Sequence, residues 1–418
     1  MQHGSATSEL VLPGFEGPEA VTHTSPGHWI ERGPQKRLMV FSGSSHNELA
    51  ERIAEQLGVQ LGEIELSTFP NGETYVRYCE SIRGADLFLV QTGCEPVDRN
   101  VMELAMMIQA AKLGSAKRIT AVIPWFPYAR QDRKAKPREP ISARLVADIL
   151  QLAGADRVLT MDLHAGQIQG FFTIPVDHMT SLPLFSRHFR DLGLTGEGIV
   201  SVAPDAGRAK HAVRFAEMID AEFAIMHKQR FSGDTVSVTE VTGKVRGKTA
   251  IIGDDVTTTG GTLIAGAQAL MEHGAERVYV FVTHALLSAQ GLERLGNADL
   301  AGIVVTDTVP VDPIAKPQNM TVLTVAPLLA ETIMNVFADD SVSAIFGGEN
   351  QLFCFAPRRR ESEGVRHQKV SDTRRTYRGR RRRCRYNRPP WRESASSSWS
   401  RTGRSSAPPR RAACAGRG

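Results

Sequence analysis

Short β-branched runs alternate with amphipathic helical segments through the middle of this 418-residue chain, and that alternation restricts its fold more than any single motif does. RLMVFSG, ADLFLVQT, RITAVIPWF, DRVLTMDL and TAIIGDD read as strands, whereas VMELAMMIQAAKLG and SARLVADILQLAG carry the helical period. Successive βα units predict an α/β fold with doubly wound, mainly parallel sheets and helices on both faces. One unit recurs. GADRVLTMDLHA at 154–165 and GAERVYVFVTHA at 274–285 agree at six of twelve positions, each after a helical segment. Two similar domains with a boundary near residue 180 are the expectation, and a chance likeness of two βα units is the other reading.

The ends of the chain break the pattern. Residues 1–36 carry Gly and Pro at short intervals without a sustained apolar period, which predicts a flexible leader. Residues 357–418 hold 20 of the 50 Lys+Arg and only 4 of the 45 Asp+Glu. The rest therefore has 30 basic against 41 acidic residues, a net charge of −11, so the formal +5 of the whole chain belongs to its end. A segment so rich in Arg, Ser and Pro cannot bury enough apolar surface to offset its ordering entropy, and a disordered basic tail is expected over 351–418. A run such as RGRRRRCR would contact nucleic-acid phosphates without sequence choice, or serve no function. Between the ends, domains are expected over 37–180 and 181–350.

Nothing approaches the roughly 18 apolar residues of a membrane helix, and no basic start followed by an apolar run marks a secretory signal, so a cytoplasmic protein is expected. Cys79, Cys94, Cys354, Cys384 and Cys414 show no CxxC spacing, which supports neither a disulfide framework nor a zinc site.

The chemistry concentrates in KTAIIGDDVTTTGGTLIAGAQAL, at 248–270. An apolar strand runs into Asp254 and Asp255, then into a Thr/Gly loop, then into a helix. Ligands of open α/β sheets bind beyond the carboxyl ends of strands, and a Gly-rich turn opening a helix offers backbone N–H groups to a phosphate. Carboxylates beside such a nest can accept hydrogen bonds from vicinal hydroxyls, so the segment suits a phosphorylated sugar. A solvated strand-end turn is the plainer reading. The spacing is not that of GxxxxGK[ST], which excludes an ordinary P-loop.

DDVTTTGGT and its flanks over about 37–349 resemble the ribose-phosphate pyrophosphokinase family, which makes phosphoribosyl diphosphate from ATP and ribose 5-phosphate. The resemblance implies two phosphoribosyltransferase-type domains, with ATP on the side of the first and ribose 5-phosphate on that of the second. It places Asp254, Asp255, Thr258, Thr259, Gly260, Gly261 and Thr262 on ribose 5-phosphate. FPNGETYVR implies adenine contacts from Phe69, Asn71 and Glu73, donated to a neighbouring subunit, and hence a homo-oligomer, a hexamer by family likeness; Phe69 could equally be core. PYARQDRK offers Arg130, Gln131 and Asp132 to ATP, with guanidinium forks suited to triphosphate oxygens, or is a solvated basic turn. In DLHAGQIQGFF and APDAGRAK, His164 and Asp205 would contact the Mg²⁺ of MgATP, His164 also binding the nucleotide. HKQR supplies Lys228 and Arg230 as the catalytic cations, a spacing that is otherwise common on solvated surfaces. His284, the repeat partner of His164, lacks neighbouring motifs and reads as a core histidine.

Two positions depart from the family pattern. Thr258 stands where DDxxDT has a third acid, and Ala203 replaces the Ser of SPD. The first removes a charge beside the sugar phosphate, which leaves an active transferase with altered kinetics as the leading reading and a catalytically weak regulatory subunit as the alternative.

Overall fold

The computed structural model describes residues 36–230 and 236–342, with the side chains of 228–230 and 236–239 outside that description. The expected leader, except Lys36, and the expected basic tail lie outside the described residues. In chain order the first part holds β1 (Leu38–Ser42), α1 (Asn47–Leu57), a hairpin of β2 (Ile64–Thr68) and β3 (Thr74–Tyr78), β4 (Asp86–Val90), α2 (Val97–Leu113), β5 (Arg118–Ile123), α3 (Ser142–Ala153), β6 (Arg157–Met161) and β7 (Val176–Met179). There follow α4 (Leu182–Asp191), β8 (Ile199–Ala203), α5 (Ala209–Met218), β9 (Glu222–Arg230), β10 (Val236–Thr242), β11 (Thr249–Thr257), α6 (Gly261–Glu272), β12 (Arg277–Ala285), α7 (Ala289–Gly296), β13 (Gly302–Thr306), β14 (Met320–Leu323) and α8 (Ala326–Ala338).

The first sheet runs β1-β4-β5-β6-β7, all parallel, and the second β10-β9-β8-β11-β12-β13-β14, parallel except for β10. Their strands are continuous apolar runs because both faces are covered: DLFLV of β4 is buried at every position. Leu87 and Leu89 face one core with residues of α2 and α3, while Phe88 and Val90 face another with Leu49 and Ile53 of α1. The expected α/β class holds. In the second sheet α6 and α7 cover one face and α4 and α5 the other.

The two sheets wind differently. The first proceeds in one direction from β1 to β7, with α2 and α3 together on one face. Its opposite face is completed by α8, from the far end of the described chain: Leu329 and Ile333 pack with Val40, Phe88 and Leu159 beside α1. The second sheet starts in its interior. From β8 the chain moves outward to β9 and β10, then returns to place β11 on the other side of β8. A topological switch point thus lies between β8 and β11, where an open α/β sheet leaves a crevice at its carboxyl edge.

Candidate active site

Asp254 and Asp255 lie inside β11, two residues before its end, rather than in the loop that follows. Thr257 Oγ1 accepts the Gly260 N–H at 3.2 Å, and the Thr258 carbonyl accepts the Ser288 N–H at 3.4 Å, so the turn into α6 is fixed from both sides. Gly260 occupies the left-handed region at φ 73°, and a Cβ there would come within 2.7 Å of Leu295 Cγ on α7. Only glycine meets both demands. The loop therefore delivers Thr259, Gly261 and Thr262 to the N-terminus of α6, with Gly261 exposed and Thr258 half-buried.

Across the switch point, β8 ends at Ala203 and Asp205 begins a tight 3-10 turn. Asp205 Oδ1 accepts the Arg208 N–H at 3.2 Å, which directs the Arg208 side chain toward β11. Its guanidinium pairs with Asp255, and its Nε lies 3.5 Å from Asp254 Oδ1. His164, from the segment after β6, brings Nδ1 to 2.6 Å from Asp255 Oδ2 and 3.1 Å from Arg208 Nη2. The fold thus gathers into one cluster five residues separated by up to 91 positions. Burial, and next the charge of Asp255, pushes the Asp254 carboxyl up from its ordinary value. Burial opposes ionisation of Asp255 as well, but the His164 hydrogen bond and the Arg208 charge outweigh it and hold that carboxyl low. The two acids are therefore unlike, Asp254 holding a proton more readily than Asp255.

Residues 38–154 match the family described as the N-terminal domain of ribose phosphate pyrophosphokinase, and residues 230–347 match the phosphoribosyl synthetase-associated domain. The ribose-phosphate pyrophosphokinase of Clostridium acetobutylicum is 46% identical over 314 residues, which is 75% of this chain and 98% of that protein. That of Streptomyces avermitilis is 46% identical over 319 residues, 76% of this chain and 98% of that protein. The phosphoribosylpyrophosphate synthetase structure from Mycobacterium smegmatis superposes with a TM-score of 0.68 at 44% identity, covering 73% of this chain and all of that one. The chain belongs to the ribose-phosphate pyrophosphokinase family.

The other segments that resemble this family fall in three places. Asp132 Oδ2 accepts from Gln167 Nε2 at 2.8 Å, which ties PYARQDRK to the segment that follows His164, and Gln131 Oε1 accepts from Ser142 Oγ at 2.6 Å, which ties it to the start of α3; Arg130 is exposed. Phe69, Asn71 and Glu73 form the tip of the β2–β3 hairpin, where Asn71 Oδ1 accepts the Glu73 N–H at 3.2 Å. Phe69 is 47% exposed, with the Tyr75 ring against its edge, so it is not core. Among the described residues no hydrogen bond joins this tip to the His164 cluster. Lys228 and Arg230 fall in β9, whose neighbour is β8, opposite Val238 and Val236 of β10; their side chains lie outside the described part.

His284 is the core histidine expected. It is fully buried, with Nε2 at 3.2 and 3.3 Å from the Met161 and Asp162 carbonyls and Nδ1 at 2.9 Å from Thr308 Oγ1. Sequence reading missed Arg208. An arginine three residues after Asp205 in APDAGRAK was a visible signal, but only the pairing of β8 with β11 shows what it faces.

Proposed function

We propose that the chain transfers the β,γ-diphosphoryl group of ATP to the C1 hydroxyl of ribose 5-phosphate, giving phosphoribosyl diphosphate and AMP. The observation that carries this reading is the placement of a carboxylate pair and a Gly-opened helix on one strand at the switch point. Backbone N–H groups at the start of α6 suit the sugar phosphate, and Asp254 and Asp255 suit its vicinal hydroxyls. The C1 hydroxyl gives up its proton to solvent as its oxygen forms a bond to the β-phosphorus, the bond from that phosphorus to the α,β-bridging oxygen breaks, and AMP departs with the bridging oxygen. Lys228 and Arg230 are assigned to the negative charge that grows on the transferred group. Arg130, Gln131 and Asp132 are assigned to ATP, with Phe69, Asn71 and Glu73 reaching adenine in a neighbouring copy of a homo-oligomer.

The donor set fits a divalent ion that arrives with the nucleotide. His164 turns Nδ1 to Asp255, the arrangement in which a carboxylate orients a histidine that ligates through its other ring nitrogen. Among the described residues no group of three or more His, Cys, Asp or Glu side chains is disposed to hold an ion. A Mg²⁺ held by His164 and Asp205 would complete its shell from phosphate oxygens and water, as this ion commonly does. When bound it neutralises phosphate charge. The expected domains, 37–180 and 181–350, the second lending α8 to the first sheet, then meet at the reaction, with ATP and ribose 5-phosphate on their respective sides. Among the described residues no helix is long and apolar enough to cross a membrane, and a cytoplasmic setting is consistent with that.

The test is AMP formation by the purified chain from MgATP and ribose 5-phosphate. Lys228→Ala should lower kcat by about 10²- to 10³-fold with little change in either KM, because its charge matters where charge develops. A chain inert by itself that alters an active relative's rate would establish the regulatory reading instead.

A further inference from the structure

Two neighbouring carboxylates on a strand that is almost closed to water require a compensating charge. The side chain of Asp255 is 3% exposed and that of Asp254 17%. Among the described residues, Arg208 is the permanently charged group within ion-pair distance of both. Its backbone is pinned by Asp205, its side chain is 14% exposed, and its Nη2 also stands 3.1 Å from His164 Nδ1. It therefore touches every other member of the cluster from a single position.

We infer that Arg208 is the resident counter-ion of the acidic pair: it fills the place a cation would take among Asp254, Asp255 and His164, and thereby sets the carboxylates for the sugar hydroxyls. This rests in part on the proposed reaction, because the hydroxyls are those of ribose 5-phosphate. The geometric core stands without it. A guanidinium suits the task because its planar fork reaches several acceptors at once and it never deprotonates. Arg208 is thus a positioning residue, acting on the substrate through the acids it holds.

The experiment uses the full chain and two readouts. Mn²⁺ binding without nucleotide, followed by electron paramagnetic resonance, should be weak in the wild type. In Arg208→Ala it should be at least about tenfold tighter, because removal of one ion-pair partner leaves charge that a cation can compensate. Arg208→Lys should stay close to the wild type, and adding Asp255→Asn to Arg208→Ala should abolish the gain. In steady-state kinetics Arg208→Ala should raise the KM for ribose 5-phosphate by about tenfold and leave that for ATP nearly constant. If Arg208→Ala does not fold, Arg208→Gln, which keeps a long polar chain without charge, takes its place. Unchanged Mn²⁺ affinity overturns the inference, as does a shift confined to ATP. A wild-type chain without activity overturns the proposed reaction, while the Mn²⁺ measurement still decides the role of Arg208.

Discussion

The first sheet winds one way and borrows a helix from the far end of the described chain, whereas the second starts from its middle and supplies helices to both of its faces. The histidines that close the repeated unit differ in parallel. His164, after β6, meets Asp255 and Arg208; His284, at the end of β12, is enclosed by Thr308 and the backbone of Met161 and Asp162. Repetition of a βα sequence reproduces strand and helix, but the role of its last residues depends on what the other half brings to them. In the second sheet the switch point brings Asp205 and Arg208 beside β11, and His164 is drawn into the cluster they form.

The most severe test of the contrast is to remove α8. A chain ending after Thr324 loses Leu329, Ile333 and Val336 from the first sheet's core. At about 1.5–3 kcal/mol for each large apolar side chain, the loss is comparable to the stability of a typical domain. Hydrogen exchange should show β1 and β4–β6 unprotected while β8 and β11–β13 remain protected. A chain ending at Gly348 keeps α8 and should retain both fold and activity; equal protection in both truncations would refute the borrowed helix.

The histidines come next. His164→Asn should lower kcat by about 10- to 100-fold with almost no change in urea midpoint, since its proposed role is to hold the ion of MgATP. His284→Ala should do the reverse: a stability loss of about 2–4 kcal/mol from lost packing and unpaired buried carbonyls, with activity per folded chain preserved. The opposite pattern would exchange their roles.

A smaller effect is expected at Thr258. Its hydroxyl can hydrogen-bond without repelling a phosphate, whereas Thr258→Asp restores the family acid and its charge. The KM for ribose 5-phosphate or kcat should change several-fold and the KM for ATP hardly at all. A shift in ATP kinetics alone would remove the loop from the sugar phosphate.

The least effect concerns the tether of α8. Hydrogen bonds from Lys36 and then Arg118 pull the Asp339 carboxyl from 3.8 down to about 2. Because the folded value is the lower one, this contribution is present above the ordinary carboxylate range and is lost as pH falls toward the folded value. The group is exposed, so the effect is small. The difference in urea midpoint between wild type and Asp339→Asn should shrink as pH falls from 4 toward 2, and a constant difference would count against the tether.

Much of the fold was legible because parallel strands buried on both faces must be continuous apolar runs, as β1, β4, β5, β6 and β11 are. The position of α8 was not. Its apolar pattern demands burial, but nothing local states that the burying surface lies on the first sheet. At the site, the Asp254–Thr262 segment was readable because its order of acids, turn and helix is local. Arg208 was hidden because an arginine after a turn usually points to water, and its partners come from two other strands' ends. The exposed tip at Phe69 was left between core and nucleotide contact, since an isolated aromatic in a hairpin has no period to place it.

The borrowed helix also has a history in each molecule's synthesis. By the time Met179 has left the ribosome, all five strands of the first sheet are available, but the helix that closes one of its faces has not been made. At ordinary translation rates α8 follows on the order of ten seconds later. For that interval Val40, Phe88, Val90 and Leu159 lack part of their final cover, an apolar surface of the kind nascent-chain chaperones engage. Completion of the first half therefore waits until nearly all of the second has been made.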